Sequence, residues 1–278
     1  MIFLGDVFRR FTQKLKDKFN ASAQREAALL LSFSLNLSVD KLYQYQNRTI
    51  SKIELIKMNK LLKRRLKFEP IAKIIEKKQF WDSSFYVNKM VLDPRPETEL
   101  LVELVLKKQE HRKTILDLGT GSGCIAISLA LALPNSRITA VDISEHALEV
   151  ACKNSKLHQV EISFIQSNWF QNVSNKYDVI VSNPPYVRDD EFVRLPMDIK
   201  KYEPKIALSG GFDGLDCYRN IAKSISSHLT DNGVGYFEIG QGQCDGVLDI
   251  FSFYGLSILG VKKDLNRIDR VVCVKKDA

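Results

Sequence analysis

Hydrophobic positions recur every four residues at the start of this chain and every second residue later. Phe11, Leu15 and Phe19 stand four apart with lysines between them, which predicts one buried helical stripe. AQREAALLLSFSL, rich in strong helix formers, predicts a second helix. Ser51 and Glu54 have capping-box spacing and open a third, whose apolar positions are Leu55, Ile56, Leu61 and Leu62. No strand pattern appears in the first 80 residues, so a small helical bundle is expected there. QFWDSSFYVNKMVLDPRPE then carries aromatic and β-branched residues around Asp-Ser-Ser, and reads as a hairpin joining two domains.

From about Glu97 the texture becomes alternating. TILDLG, RITAVDI, EISFIQ, YDVIVSN and GVGYFEIG read as strands with helical stretches between them, and SILGVKK and RVVCVKK close the chain without an intervening helix. That order predicts an α/β fold: a mostly parallel sheet with helices on both faces, finished by an antiparallel pair. The expected division is 1–79 helical, 80–94 hairpin and 95–278 sheet domain.

Composition narrows the classes. Hydrophobic residues at 45% and charged residues at 27% are ordinary for a soluble protein, and no apolar run approaches the ~18 residues of a membrane span. MIFLGDVFRRF places its arginines after its apolar patch, the reverse of a secretory signal. Cys124, Cys152, Cys217, Cys244 and Cys273 stand singly, and His111, His146, His158 and His228 are as dispersed. The expectation is a reducing, cytoplasmic setting with no metal site and with cysteines that merely pack. The net charge of +8 is confined to one end. Residues 1–92 carry 19 Lys/Arg against 8 Asp/Glu, and the remainder 22 against 25. The densest run, KLLKRRLK at Lys60–Lys67, is either a solvated helix face or a dock for an acidic protein or RNA.

The chemistry lies in two places. TILDLGTGSGCIAISLALAL is a strand, a glycine turn and a helix, with Gly119, Gly121 and Gly123 around Thr120 and Ser122. Cys124 stands where the dinucleotide fingerprint needs its last glycine, and no phosphate-loop lysine follows. A nucleoside ligand without a pyrophosphate suits such a turn, and S-adenosyl-L-methionine is the obvious one. Asp142, ending the next strand, can accept both ribose hydroxyls or cap the helix near Ser144. Asp117 can meet the ligand's amino group or fix the glycine turn. Asn168 can meet an adenine edge, and Trp169 an adenine face or the core.

The second place is IVSNPPYV. A buried strand ends there in an amide, two prolines and an aromatic ring. Asn183 and the Pro184 carbonyl are acceptors able to grip the two N–H groups of a planar amine or amide, with Pro185 stiffening the turn and Tyr186 offering a ring to pack against. Asn-Pro is also ordinary turn chemistry.

With NPPY, the glycine turn and Asp142, the chain resembles class I methyltransferases acting on planar nitrogen. LDPRPETELLVE, FEPIAKIIEKKQFW and YEPKIALSGGFDGLDCYR make it similar, over nearly its whole length, to the release factor glutamine methyltransferases of the PrmC/HemK family. The resemblance implies a seven-stranded Rossmann-like sheet and N5-methylation of the glutamine in the GGQ motif of class 1 peptide chain release factors. By the motifs, Asp117, Gly119 to Gly123, Asp142, Asn168, Trp169 and Asn183 bind S-adenosylmethionine, and Asn183 to Tyr186 hold the glutamine. Asn183, Pro184 and Tyr186 are the expected catalytic positions, and Arg95 and Glu97 order the pocket wall. A monomer is expected, with nucleic acid not required and RNA contact through the basic region left open. Two positions depart from the family: Asn168, where aspartate is usual, and Glu76, near which glycine is frequent. Adenine-N6 or RNA base methylation, and cofactor binding without chemistry, are the competing readings.

Overall fold

The computed structural model describes residues 1–108 and 113–277, so His111 lies outside the described residues. They form two compact units, Met1–Lys77 with Met197–Tyr202, and Lys78–Pro196 with Glu203–Ala278. The first therefore takes in a short segment far beyond the expected residues 1–79. Among the described residues no helix is long and apolar enough to cross a membrane.

The first unit contains α1 (Leu4–Phe19), α2 (Ala23–Leu35), α3 (Val39–Gln44), α4 (Lys52–Leu66) and α5 (Ile71–Ile75). Phe11 and Leu15 are buried, and Phe19 packs half-buried at the end of the same stripe. The capping box is present: the Ser51 hydroxyl accepts the Glu54 N–H (3.2 Å) and the Glu54 carboxylate accepts the Ser51 N–H (2.9 Å). Ile56, expected on the buried side, is exposed; Leu62 is buried as expected, and Met58 is buried too. Nor is Lys60–Lys67 a single charged face. Arg65 turns inward, its Nε donating to Glu26 Oε2 at 2.6 Å and its Nη2 to Oε1 at 3.0 Å. Its guanidinium carbon also lies 3.5 Å from the Phe19 ring centroid. Arg64 pairs with Glu69 at 2.6 Å, leaving Lys60, Lys63 and Lys67 exposed. Glu76 follows α5 at φ 53°, in the left-handed region, which is why glycine suits that position.

The hairpin pairs β1 (Lys77–Phe80) with β2 (Ser83–Tyr86). Its turn is Trp81-Asp82, not Asp-Ser-Ser: Ser83 and Ser84 belong to the strand. Trp81 reaches φ 51°, as tight hairpin turns do, and Glu99 Oε1 accepts its N–H at 2.9 Å.

Next come α6 (Glu99–Lys108), β3 (Thr114–Leu118), α7 (Cys124–Ala132), β4 (Arg137–Asp142), α8 (Glu145–Leu157), β5 (Ser163–Gln166) and β6 (Tyr177–Ser182). After α9 (Asp189–Phe192) and α10 (Met197–Tyr202) follow α11 (Asp216–His228), β7 (Leu229–Glu238), α12 (Cys244–Phe253), β8 (Leu256–Lys263) and β9 (Asp269–Lys276). The seven-stranded sheet runs β5-β4-β3-β6-β7-β9-β8. It is parallel except for β9, which is antiparallel to β7 and β8. The mostly parallel sheet with its closing antiparallel pair is the fold the alternation predicts.

Period-two alternation splits the side chains between two cores. Ile115, Val179, Val181 and Tyr236 pack on one face against Leu101, Val105 and Ile127. Leu116, Leu118, Ile180 and Phe237 pack on the other against Tyr218, Ile225 and Phe251. Each buried Leu, Ile or Phe contributes roughly 1.5–3 kcal/mol, so both faces anchor the sheet. The chain leaves β3 for β4 on one side and returns as β6 on the other, which opens a crevice at the carboxyl ends. Leu118 stands opposite both Val141 and Ser182. Gly119, Asp142 and Asn183, each beyond the end of these pairings or at it, therefore emerge side by side.

Candidate active site

The turn after β3 runs through Gly119 (φ 72°), Gly121 (φ 55°) and Gly123 (φ 80°), a region hostile to side chains. The three glycines do different work. The N–H groups of Gly119 and Thr120 both donate to the Val141 carbonyl at 2.9 Å, folding the turn back on β4. A Cβ on Gly121 would meet nothing within 4 Å, and one on Gly119 only Trp169 Cζ3 at 3.9 Å, so open space lies beside both. Gly123 instead caps α7, and a Cβ there would press on Ile127 at 3.0 Å and Ala151 at 3.1 Å. Its glycine is required by helix packing.

A cavity of about 250 Å³ opens at this edge. Gly119, Gly121 and Asp142 line one part of it, Asn168 and Trp169 another, and Asn183 and Pro185 a third. Met90, Val91 and Leu92 contribute an apolar wall, a role that sequence reasoning missed. Asp117, Thr120, Ser122, Gly123, Pro184 and Tyr186 are not among the residues that line it.

Asp142 holds the turn with both oxygens: Oδ2 accepts the Gly121 N–H and Oδ1 the Ser144 N–H, both at 2.9 Å. Burial nonetheless pushes its carboxyl up. The cap of α8 is Ser144, whose hydroxyl accepts the Ala147 N–H at 3.2 Å. Each Asp142 oxygen keeps a lone pair for a ligand. Asp117 is fully buried; its Oδ2 accepts from the Thr120 hydroxyl at 2.6 Å, while Oδ1 has no partner. Burial pushes this carboxyl up to about 7, against the Thr120 hydrogen bond. An orphaned carboxylate oxygen behind a turn with open space at two glycines fits a ligand with a cationic end and vicinal hydroxyls. Ser122 is held from behind: Asn154 Nδ2 donates to its carbonyl at 2.8 Å and to the Tyr86 carbonyl at 2.9 Å, while Oδ1 accepts the Tyr86 N–H at 2.7 Å. Asn154 thus ties the glycine turn to β2. Trp169 sits half-buried at φ 52°, its carbonyl accepting from the Ser167 hydroxyl at 2.8 Å, and Asn168 stays exposed on the rim.

The NPPY turn is strapped in place. Gln243 Nε2 donates to the Tyr186 carbonyl at 2.9 Å, and Val187 and Gly210 exchange backbone bonds with Leu208 and Val187 at 2.8 Å. A Cβ on Gly210 would meet Tyr186 Cα at 2.8 Å, and one on Gly214 the Tyr186 carbonyl at 2.6 Å. ALSGGFDGLD is therefore glycine-rich because two backbones touch there. The Tyr186 ring packs on the second core, and burial pushes its hydroxyl up to about 12, so at neutral pH it is no base. Asn183 Nδ2 donates to Thr98 Oγ1 at 2.9 Å. Arg95 reaches Glu203 at 3.3 Å, and the same carboxylate accepts the Asp93 N–H at 3.3 Å, ordering the PRPETE segment ahead of Thr98. Cys124 is buried, and burial raises its thiol to about 12, in keeping with a packing role. Among the described residues no cluster of three or more His, Cys, Asp or Glu could hold a metal ion.

The chain is similar to several known proteins. The methyltransferase small domain family matches residues 91–197, and the PrmC N-terminal domain family residues 6–75. A release factor glutamine methyltransferase of Thermodesulfovibrio yellowstonii is 39% identical, covering 86% of this chain and 88% of its own. A bifunctional methyltransferase of Rickettsia felis is 40% identical over 95% of this chain. The chain spans 57% of that protein's length and about half that of similar bifunctional relatives. A crystal structure of a methyltransferase from Pyrococcus furiosus superposes with a TM-score of 0.55 at 17% identity, over 78% of this chain and 99% of that one, a likeness of fold.

Proposed function

This chain belongs to the release factor glutamine methyltransferase family, and we propose that it methylates the side-chain amide nitrogen of the GGQ glutamine in a class 1 release factor, using S-adenosylmethionine. The observation that carries the reading is the position of Asn183. It lines the same cavity as Gly119, Gly121 and Asp142, and its Nδ2 is already engaged by Thr98.

When bound, S-adenosylmethionine supplies a methyl group on a positively charged sulfur. In this reading Asp117 Oδ1 would hold the cofactor's ammonium group, Asp142 the ribose hydroxyls, Trp169 the adenine face and Asn168 the adenine edge. Asn183 Oδ1 and the Pro184 carbonyl accept the two N–H groups of the substrate amide, while Tyr186 packs against its plane. An amide nitrogen is a poor nucleophile because its lone pair is delocalised. Two fixed acceptors orient that pair and stabilise the positive charge growing on nitrogen. Held this way by Asn183 and Pro184, the substrate nitrogen would be placed to receive the methyl group, and its surplus proton would leave to water. No strong base is needed, which suits a site whose Tyr186 stays protonated. This reading has residues 1–79 docking the substrate, 80–94 linking and 95–278 transferring the methyl. It puts a monomer in the cytoplasm, with nucleic acid not required and RNA contact through the basic region left open.

The test offers labelled cofactor and, separately, a release factor, ribosomal RNA and duplex DNA, and locates the label by mass spectrometry. Methyl on the GGQ glutamine is expected. Label on a base amino group would keep the clamp and overturn the substrate; no label with cofactor still bound would favour a binding protein.

A further inference from the structure

The NPPY turn has to hold its acceptors still, and its prolines cannot do that alone. Pro184 and Pro185 fix their own φ angles but carry no N–H with which the turn could brace itself. The bracing comes from other segments. On entry, the Ser182 hydroxyl donates to the Leu118 carbonyl at 2.7 Å. On exit, the Val187 N–H donates to the Leu208 carbonyl and the Gly210 N–H to the Val187 carbonyl, both at 2.8 Å. Between these two anchors the Tyr186 carbonyl accepts from Gln243 Nε2 at 2.9 Å.

Gln243 stands at the N-cap of α12, where a short side-chain oxygen would satisfy a free helix N–H. Its side chain makes no such bond. Nε2 donates a second time, to the Gly214 carbonyl at 3.3 Å, and Oε1 accepts the Gly240 N–H at 3.0 Å. All three partners are backbone groups, whose roles as donor or acceptor cannot change. They fix the amide with its nitrogen toward two carbonyls and its oxygen toward one N–H. One side chain therefore joins three loops: the NPPY turn, the glycine-rich segment before α11 and the segment after β7. The same bracket bounds the tyrosine ring, since a Cβ on Gly240 would meet Tyr186 Cδ2 at 3.0 Å.

We propose that Gln243 is a positioning residue, whose amide holds Tyr186 so that Asn183 and Pro184 meet the substrate amide in a fixed geometry. The inference rests on the reading of NPPY as the substrate clamp. With two prolines between them, Tyr186 and Asn183 have few ways to move independently, so a hold on one carries to the other. Gln243 does not line the cavity, so its loss acts on methyl transfer and leaves cofactor binding alone.

The experiment compares Gln243→Glu with wild type by kcat, by cofactor Kd and by backbone amide exchange. This change keeps the length and the acceptor toward Gly240, and sets an ionised oxygen against two carbonyls. It should lower kcat roughly 10- to 100-fold with cofactor Kd unchanged. Protonation turns the introduced carboxyl into a donor, so kcat relative to wild type should recover as pH falls toward about 6. Gln241→Glu, at an exposed neighbour, adds the same charge outside the bracket and should match wild type. Amide exchange, read by NMR, needs no substrate. In Gln243→Glu the Val187 and Gly210 amides should exchange about tenfold faster while Gly240 stays protected.

Wild-type kcat in folded Gln243→Glu would overturn the proposal. So would equal loss of protection at Gly240, which would mark general loosening. Should the buried charge prevent folding, Gln243→Met is uncharged and of similar length, and wild-type kcat there would overturn the proposal too. If wild type methylates no release factor, the functional reading fails separately, and the exchange pattern still decides whether Gln243 holds the turn.

Discussion

Glu26 in the helical unit and Asp117 in the sheet unit are both buried acids, and their surroundings differ. Glu26 meets the fork of Arg65 with both oxygens, at 2.6 and 3.0 Å, and the guanidinium in turn lies over Phe19. Asp117 has one partner, the Thr120 hydroxyl, and its other oxygen is orphaned at the edge where three strands end. Glu238, at the end of β7, likewise leaves one oxygen unpartnered. Burying a charge is expensive, and a fold that needs only stability closes the circuit, as α2 and α4 do. Acids left half-satisfied mark the surface where the molecule meets something else.

Four experiments test that contrast, beginning with the largest effect. Arg65→Ala strands Glu26 without its partner and should cost about 3–5 kcal/mol in denaturant unfolding of the helical unit. Pairing it with Glu26→Leu should recover most of the loss. A single variant as stable as wild type would show the pair to be dispensable. Asn183→Ala should lower methyl transfer about 10²–10³-fold while cofactor binding persists, and full turnover in that variant would sink the clamp.

Asp117→Asn should behave in the opposite sense to a broken ion pair. The folded carboxyl titrates near 7 rather than 3.8, so the protein loses stability as pH rises between those values. Removing the charge should stabilise the ligand-free protein at pH 8 by about 1–3 kcal/mol and weaken cofactor binding about tenfold. A destabilised Asp117→Asn protein would assign that acid to the scaffold. The smallest effect is expected from Lys60, Lys63 and Lys67, the exposed remainder of the basic run. Changing all three to Gln should raise KM for the release factor about threefold with kcat unchanged, as screened surface charges do. An unmoved KM would leave them a solvated face.

Much of this could be read from local pattern. The strands around Leu116, Ile138 and Ile180 declare themselves by alternation, the turn after β3 by its glycines, and α4 by its capping box. Asp142 and Asn183 are legible because each ends a recognisable strand. The short helices α3 and α5, six and five residues long, show too few turns for a period to register. Trp81 was hidden in its turn because an aromatic residue at positive φ contradicts propensity; the Glu99 carboxylate on its N–H helps hold it there.

The sequence by itself determined what depends on neighbours along the chain: which segments are helix or strand, where the backbone must turn tightly, and which residue types stand at strand ends. Only the tertiary structure decided the partners of buried polar groups. Arg65 finds Glu26 39 residues away, Asn154 finds Tyr86 68 residues away, and Asn183 finds Thr98 85 residues away. Periodicity carries no information about such pairs, because helix packing, strand order and register set them, and these emerge only when the whole chain has buried its apolar faces. The partner of one amide at the candidate active site is therefore a property of the fold, although the amide itself is written in four consecutive letters.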